Sequence, residues 1–195
     1  MFVVLDCGHA KNTAGKYSPK LDDGSRFYEY EYNRILGQMI GDRLTELGID
    51  WCFTYDIEDE KDLSLTARAN VANQKAKLYG YRNVLLISIH YNALGCGEEW
   101  YDAKGLCVFT TNGETISDRY ANALIKCAKE VLEPLGREVR THYEKNFTVI
   151  YKTVCPSILI EYGFFTNKEE VEWLMSEEGL KANCELTIKM IEKMI

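Results

Sequence analysis

At 195 residues the chain is long enough to bury a sizeable core as one domain without disulfide staples. Its 46% hydrophobic and 27% charged residues are ordinary for a globular protein. A formal charge of -7 and a pI near 5.1 exclude the basic face that nucleic acid needs and any general attraction to an anionic membrane.

In chain order, Phe2–Asp6 is a short, continuous apolar run ending in a carboxylate, as a strand covered on both faces does. The stretch from Gly8 to Ser25, rich in Gly, Lys and Asp, reads as a long loop. A helix is predicted over Phe27–Leu47, with Tyr32, Ile35, Leu36, Met39, Ile40, Leu44 and Leu47 on a 3.6-residue period and Gly48 as its stop. Ile49–Tyr55 is a second predicted strand, and the acidic run Asp56–Asp62 a solvated loop. Ser64 opens a helix reaching Tyr79.

Val84–His90 is the most strand-like stretch of the chain, apolar but for Ser88 and ending at His90. A loop over Asn92–Ala103 precedes a strand over Gly105–Thr110. Thr115 or Ser117 caps a helix to Leu132, and Pro134 lies just past its end. Arg137–Asn146 is a polar loop in which His142 is expected to be exposed. Strands are predicted at Phe147–Tyr151 and Ser157–Tyr162. Asn167 caps a short helix to Met175, and a last helix covers Leu180–Met194. The alternation implies an α/β single domain: a twisted, mostly parallel sheet of about six strands with helices on both faces.

Open α/β sheets place ligands at the carboxyl ends of their strands. His9 follows the first strand, His90 ends the third, and Glu161 lies within Ser157-Ile-Leu-Ile-Glu161-Tyr-Gly163. Either histidine alone is equally consistent with a strand cap or a satisfied core group. Together, beside a buried-strand glutamate, they point to a metal, because two histidines and a glutamate with one open position form an established catalytic zinc set. Glu29 and Glu31 both begin the first helix. They are two residues apart and therefore point in different directions, so only one can serve; both also suit the positive end of the helix dipole. Seven cysteines, odd in number and without a CxxC pair, do not read as a disulfide framework, and a reducing compartment with buried thiols is expected.

These residues carry a resemblance to the zinc-dependent N-acetylmuramoyl-L-alanine amidases of the third amidase family. The family's opening Asp-Pro-Gly-His-Gly is similar to Asp6-Cys-Gly-His-Ala10. Its helix-one glutamate, about four residues before an asparagine, is matched by Glu29 and Asn33. Its Leu-x-x-Arg and Ala-Asn signature is matched by Leu65, Arg68, Ala72 and Asn73. Ser88-Ile-His90-Tyr-Asn92-Ala93 and Pro156-Ser-Ile-Leu-Ile-Glu161-Tyr-Gly-Phe-Phe-Thr-Asn167 match the remaining two motifs. Two departures flank the first histidine: Cys7 replaces the proline and Ala10 the second glycine. A Cys7 thiolate two residues from His9 would be a rival ligand or nucleophile, whereas a buried thiol would merely fill the proline's place. An insertion at Tyr79–Asn83 lengthens a surface turn.

The resemblance implies one catalytic amidase domain over residues 1–195, a monomer, with Zn2+ on His9, Glu29 and His90. Glu161 would be the general base and acid. The substrate would be peptidoglycan, cut between the lactyl group of N-acetylmuramic acid and L-alanine. A zinc peptidase acting within the stem peptide and a catalytically silent wall-binding module are the competing readings. No signal peptide or membrane span is read from the sequence. The expectation is therefore cytoplasmic synthesis with action on the wall, as in a phage-type endolysin, or a mature or excised domain of a secreted enzyme.

Overall fold

The computed structural model describes residues 1–95 and 97–195. Six strands, β1 (Phe2–Cys7), β2 (Trp51–Phe53), β3 (Val84–Asn92), β4 (Leu106–Thr110), β5 (Val139–Glu144) and β6 (Ser157–Phe164), form one sheet in the order β2-β1-β3-β6-β4-β5. β2, β1, β3 and β6 run parallel; β4 is antiparallel to β6, and β5 is parallel to β4. The mostly parallel sheet expected from the sequence is therefore present, with a reversed pair at one edge.

Helices cover both faces, because the central strands are apolar on both sides. Val3, Leu5, Leu85, Ile87, Ile89, Ile158 and Ile160 pack against α1 (Glu29–Glu46), α3 (Ser117–Leu132) and α6 (Glu177–Met194). Phe2, Val4, Leu86 and Leu159 face the other way, onto α2 (Leu65–Tyr79) and the short α4 (Thr148–Tyr151). Ser64 Oγ caps α2 by accepting from the Ala67 N–H, and Asn167 caps α5 (Lys168–Met175) by accepting from Glu170. Ser176 does the same for α6, which starts at Glu177 rather than at Leu180.

Two expectations fail in the second half of the chain. Phe147–Tyr151 is not a strand: residues 148–151 make a helical turn. Val149 and Ile150 are both buried in the cluster with Ala72, Ala76, Leu86 and Leu159. A strand would send these neighbours to opposite faces of the sheet, and only a helical turn puts both into one core. Residues 137–146 are not a loop either, since Val139–Glu144 is the edge strand β5. One face of an edge strand is wet, so its residues carry little apolar signal. His142 is consequently not an exposed loop residue. It is half-buried, with Nε2 2.6 Å from Thr110 Oγ1 and 3.5 Å from Asp118 Oδ1.

Candidate metal centre and catalytic site

The site lies where β1, β3 and β6 end. Past Cys7 the chain turns sharply, and His9 sits at φ 63°, a left-handed conformation that costs a non-glycine residue about 1 kcal/mol or more. Neighbours hold it there. The Tyr55 hydroxyl donates to the carbonyls of Cys7 (2.8 Å) and His9 (3.1 Å), and Asn33 Nδ2 donates to the Gly8 carbonyl (2.8 Å). Gly8 must be glycine, because a Cβ there would lie 2.1 Å from the His90 ring.

Beneath this turn is a buried ion pair. Arg68 Nη1, from α2, donates to Asp6 Oδ1 at 2.9 Å and to the Cys7 carbonyl at 2.7 Å. Thr54 and Ser88 donate to the two Asp6 oxygens, and Asp62 takes the remaining Arg68 amine. Every oxygen of Asp6 is thus bonded, which is the condition for keeping a buried charge. The family motif at Leu65–Asn73 marks Arg68 in the sequence but not its role. The role is visible only once the helix lies under the β1 turn.

Glu29, the first residue of α1, is fully buried at the same point. Its Oε1 lies 3.0 Å from His90 Nδ1 and accepts the Tyr91 backbone N–H at 3.1 Å. Its Oε2 is 3.4 Å from His9 Nε2 and 3.7 Å from Lys16 Nζ, and it has no hydrogen-bond partner among the described residues. The His9 and His90 rings meet edge-on with centroids 5.0 Å apart. One donor atom from each of His9, Glu29 and His90 lies within 4.8 Å of the others. Glu31, by contrast, is exposed and accepts from the Tyr30 hydroxyl, so of the two candidates the fold brings Glu29 to the histidines.

The charges follow from this packing. Burial pushes His9 down to about 4, a neutral imidazole able to offer a lone pair. Burial would raise Glu29, but the His90 hydrogen bond and the His9 and His90 charges outweigh it and hold the carboxyl below its usual range. Burial opposes protonation of His90 as well, and there the Glu29 bond wins and raises it. Glu161 stands beside His90 on the neighbouring strand, its Oε2 withdrawn from solvent and without a hydrogen-bond partner among the described residues. Burial pushes it up to about 8 against the lowering pull of His90.

Cys7 is not part of the cluster. Its thiol is fully buried, packs toward Gly37 of α1, and is pushed well above the ordinary thiol range by burial and by Asp6. It takes the place of the family proline as a small apolar filler.

The model of one family, described as N-acetylmuramoyl-L-alanine amidase, matches residues 3–193. The chain belongs to this amidase family. Its enzyme class is accordingly that of the peptidoglycan amidases. Among solved structures, an N-acetylmuramoyl-L-alanine amidase of Clostridium difficile 630 shares the fold with a TM-score of 0.82. The two are 24% identical, and the match covers 98% of this chain and 95% of that one. An amidase of Nostoc punctiforme gives a TM-score of 0.80 at 23% identity, covering 99% and 96%. In sequence, the amidase domain is also 28% identical over 179 residues to the uncharacterized protein YqiI of Bacillus subtilis (strain 168), covering 90% of this chain and 76% of that protein. No helix among the described residues is long and apolar enough to cross a membrane.

Proposed function

We propose that this amidase hydrolyses the amide between the lactyl group of N-acetylmuramic acid and L-alanine, using one zinc ion held by His9, Glu29 and His90. The observation that carries the reading is the convergence of three N and O donors within 4.8 Å, with Glu29 Oε2 buried and without a hydrogen-bond partner among the described residues. Such an oxygen is costly unless something else satisfies it. Two imidazoles and a carboxylate with room for a fourth ligand are a donor set that suits catalytic zinc. When bound, zinc supplies a Lewis acid that polarises the scissile carbonyl and makes water acidic enough to attack near neutral pH.

The chain's own residues do the rest. The Asp6–Arg68 pair and the Tyr55 and Asn33 hydrogen bonds fix the backbone that carries His9. The Tyr91 N–H orients Glu29. Glu161 takes the proton of the attacking water and holds it on its carboxyl. It delivers that proton to the alanine nitrogen as the C–N bond breaks, leaving a lactyl carboxylate and a free amine. A carboxyl whose pKa lies near the working pH is suited to both halves of this transfer. Metal analysis of the purified protein, with mass spectrometry of digested muropeptides, tests the reading. One zinc per chain and new lactyl carboxylates are expected. Cleavage inside the stem peptide, or full activity without metal, would overturn it.

A further inference from the structure

The sheet continues past Glu161 into a surface that the reaction as described does not use. Glu161 is paired across β6–β4 with Cys107, so the two side chains share a face. Phe109, two residues on, shares that face and pairs with Tyr143 of β5; their rings stack at 5.6 Å, and Phe147 meets Phe109 edge-on at 5.1 Å. Tyr143 is 39% exposed, so the platform opens to solvent at its β5 edge, while Phe109 and Phe147 are half-buried against the core cluster that holds Leu159. A cation flanks it on each side. Lys145 Nζ lies 4.6 Å over the Phe147 ring, and Arg140 runs alongside Gly105 with its guanidinium 5.3 Å over Phe164. Both are exposed, and in a chain of net charge -7 neither forms an ion pair among the described residues. Unpaired cations at a site's rim attract anions and steer them in.

We propose that Arg140 and Lys145, with the Phe109–Tyr143 platform between them, form a specificity subsite for a carboxylate of the stem peptide. This rests on the amidase reading above. The direction of the peptide follows from the order of the strands. His9 and Glu29 lie on the β1 side, His90 and Glu161 follow on β3 and β6, and β4 and β5 come next. Glu161 protonates the departing nitrogen, so the leaving peptide lies on its side of the metal. Two strand spacings of about 4.8 Å put the Arg140 end of β5, the part level with Cys107 and Glu161, roughly 10 Å beyond Glu161. An extended peptide covers that distance in about three residues. The recognised carboxylate therefore belongs to the second or third residue after the cleaved amide. The aromatic faces take up the peptide's apolar stem.

The test compares two soluble muramoyl tripeptides that differ only in bearing a carboxylate or a carboxamide at the second or third residue. It uses wild type, Arg140→Met, Lys145→Met, the double variant, and Lys129→Met on exposed α3 surface as a charge control. The double variant should raise KM for the acidic substrate about tenfold, the order of a charge-assisted contact, with kcat and zinc content kept. It should leave KM for the amidated substrate unchanged, and Arg140→Lys should restore most of the loss. The wild-type preference should shrink with added salt. A purely structural role would shift both substrates together, and that result would overturn the subsite. Binding of the free acidic tripeptide, measured by calorimetry, separates the two claims. If wild type cleaves neither substrate yet binds this peptide through Arg140 and Lys145, the amidase reading fails and the subsite stands. If wild type cleaves and the double variant binds and cleaves equally well, the subsite fails alone.

Discussion

Glu29 and His90 are joined at 3.0 Å across 61 residues of sequence, from the first residue of α1 to the end of β3. The Tyr91 N–H fixes the same carboxylate oxygen, leaving the other oxygen 3.4 Å from His9 Nε2 and without a hydrogen-bond partner among the described residues. The arrangement makes α1 a positioning element: the helix has to begin at Glu29 for the site to close.

Loss of either partner should therefore empty the proposed metal site. His90→Ala and Glu29→Gln should lower zinc affinity by more than the roughly 10- to 100-fold that removal of an outer-shell contact costs, and activity should fall with it. Glu31→Gln, at an exposed position, should keep both. Metal content after dialysis against a chelator checks this, and zinc loss in Glu31→Gln instead would reassign the ligand.

Glu161→Gln separates proton transfer from metal binding. It keeps size and an amide in place of the carboxyl, so fold and zinc content should be unchanged. Turnover should drop by about 10² to 10⁴, the usual range for a general acid–base group. A loss of less than tenfold would be incompatible with the role.

The Asp6–Arg68 pair predicts a coupled loss of stability and metal affinity. Arg68→Met would leave a fully buried carboxylate without its counter-charge, which costs about 3 to 5 kcal/mol. It would also release the Cys7 carbonyl that holds the turn before His9. Thermal unfolding of the metal-free protein should show the first effect, and chelator competition the second. A variant that unfolds earlier yet binds zinc as wild type would show that the pair supports the core but not the site.

Glu170 gives a pH dependence with a definite sign. It is buried in the first turn of α5 against the end of β6, accepting the N–H groups of Gly105 (2.9 Å) and Phe164 (2.7 Å). Burial raises its pKa from 4.5 to about 7 against those two bonds. The folded state then holds a proton that the unfolded state releases, so the contribution is complete below about 4.5 and lost as pH rises to about 7. At most it amounts to about 3 kcal/mol. The difference in Tm between wild type and Glu170→Gln, followed from pH 4 to 8 without metal, should shrink over that interval. A difference flat across it would show that the two N–H bonds keep the carboxyl ionised.

By itself the sequence determined the central strands of the sheet and marked the residues proposed for the site. The apolar runs at Phe2, Val84 and Ser157 leave no alternative to buried strands. The histidines and the glutamate at their ends are recognisable because those residue types are rare in such places. Cross-chain geometry was beyond its reach. Of the apolar stripe read on α1, Ile35 and Leu47 are 43% and 39% exposed, while Gly37, Gly41 and Asn33 are buried, because the helix presses its small residues onto β1 and β2. The edge strand β5 and the turn at Thr148–Tyr151 were misread because one wet face and four residues carry too little periodicity to reveal a partner. Only the tertiary structure put Glu29 rather than Glu31 beside the histidines, turned Cys7 into the core and set Arg68 under the His9 turn. Each of these depends on which element lies opposite, and that is fixed by packing between segments dozens of residues apart.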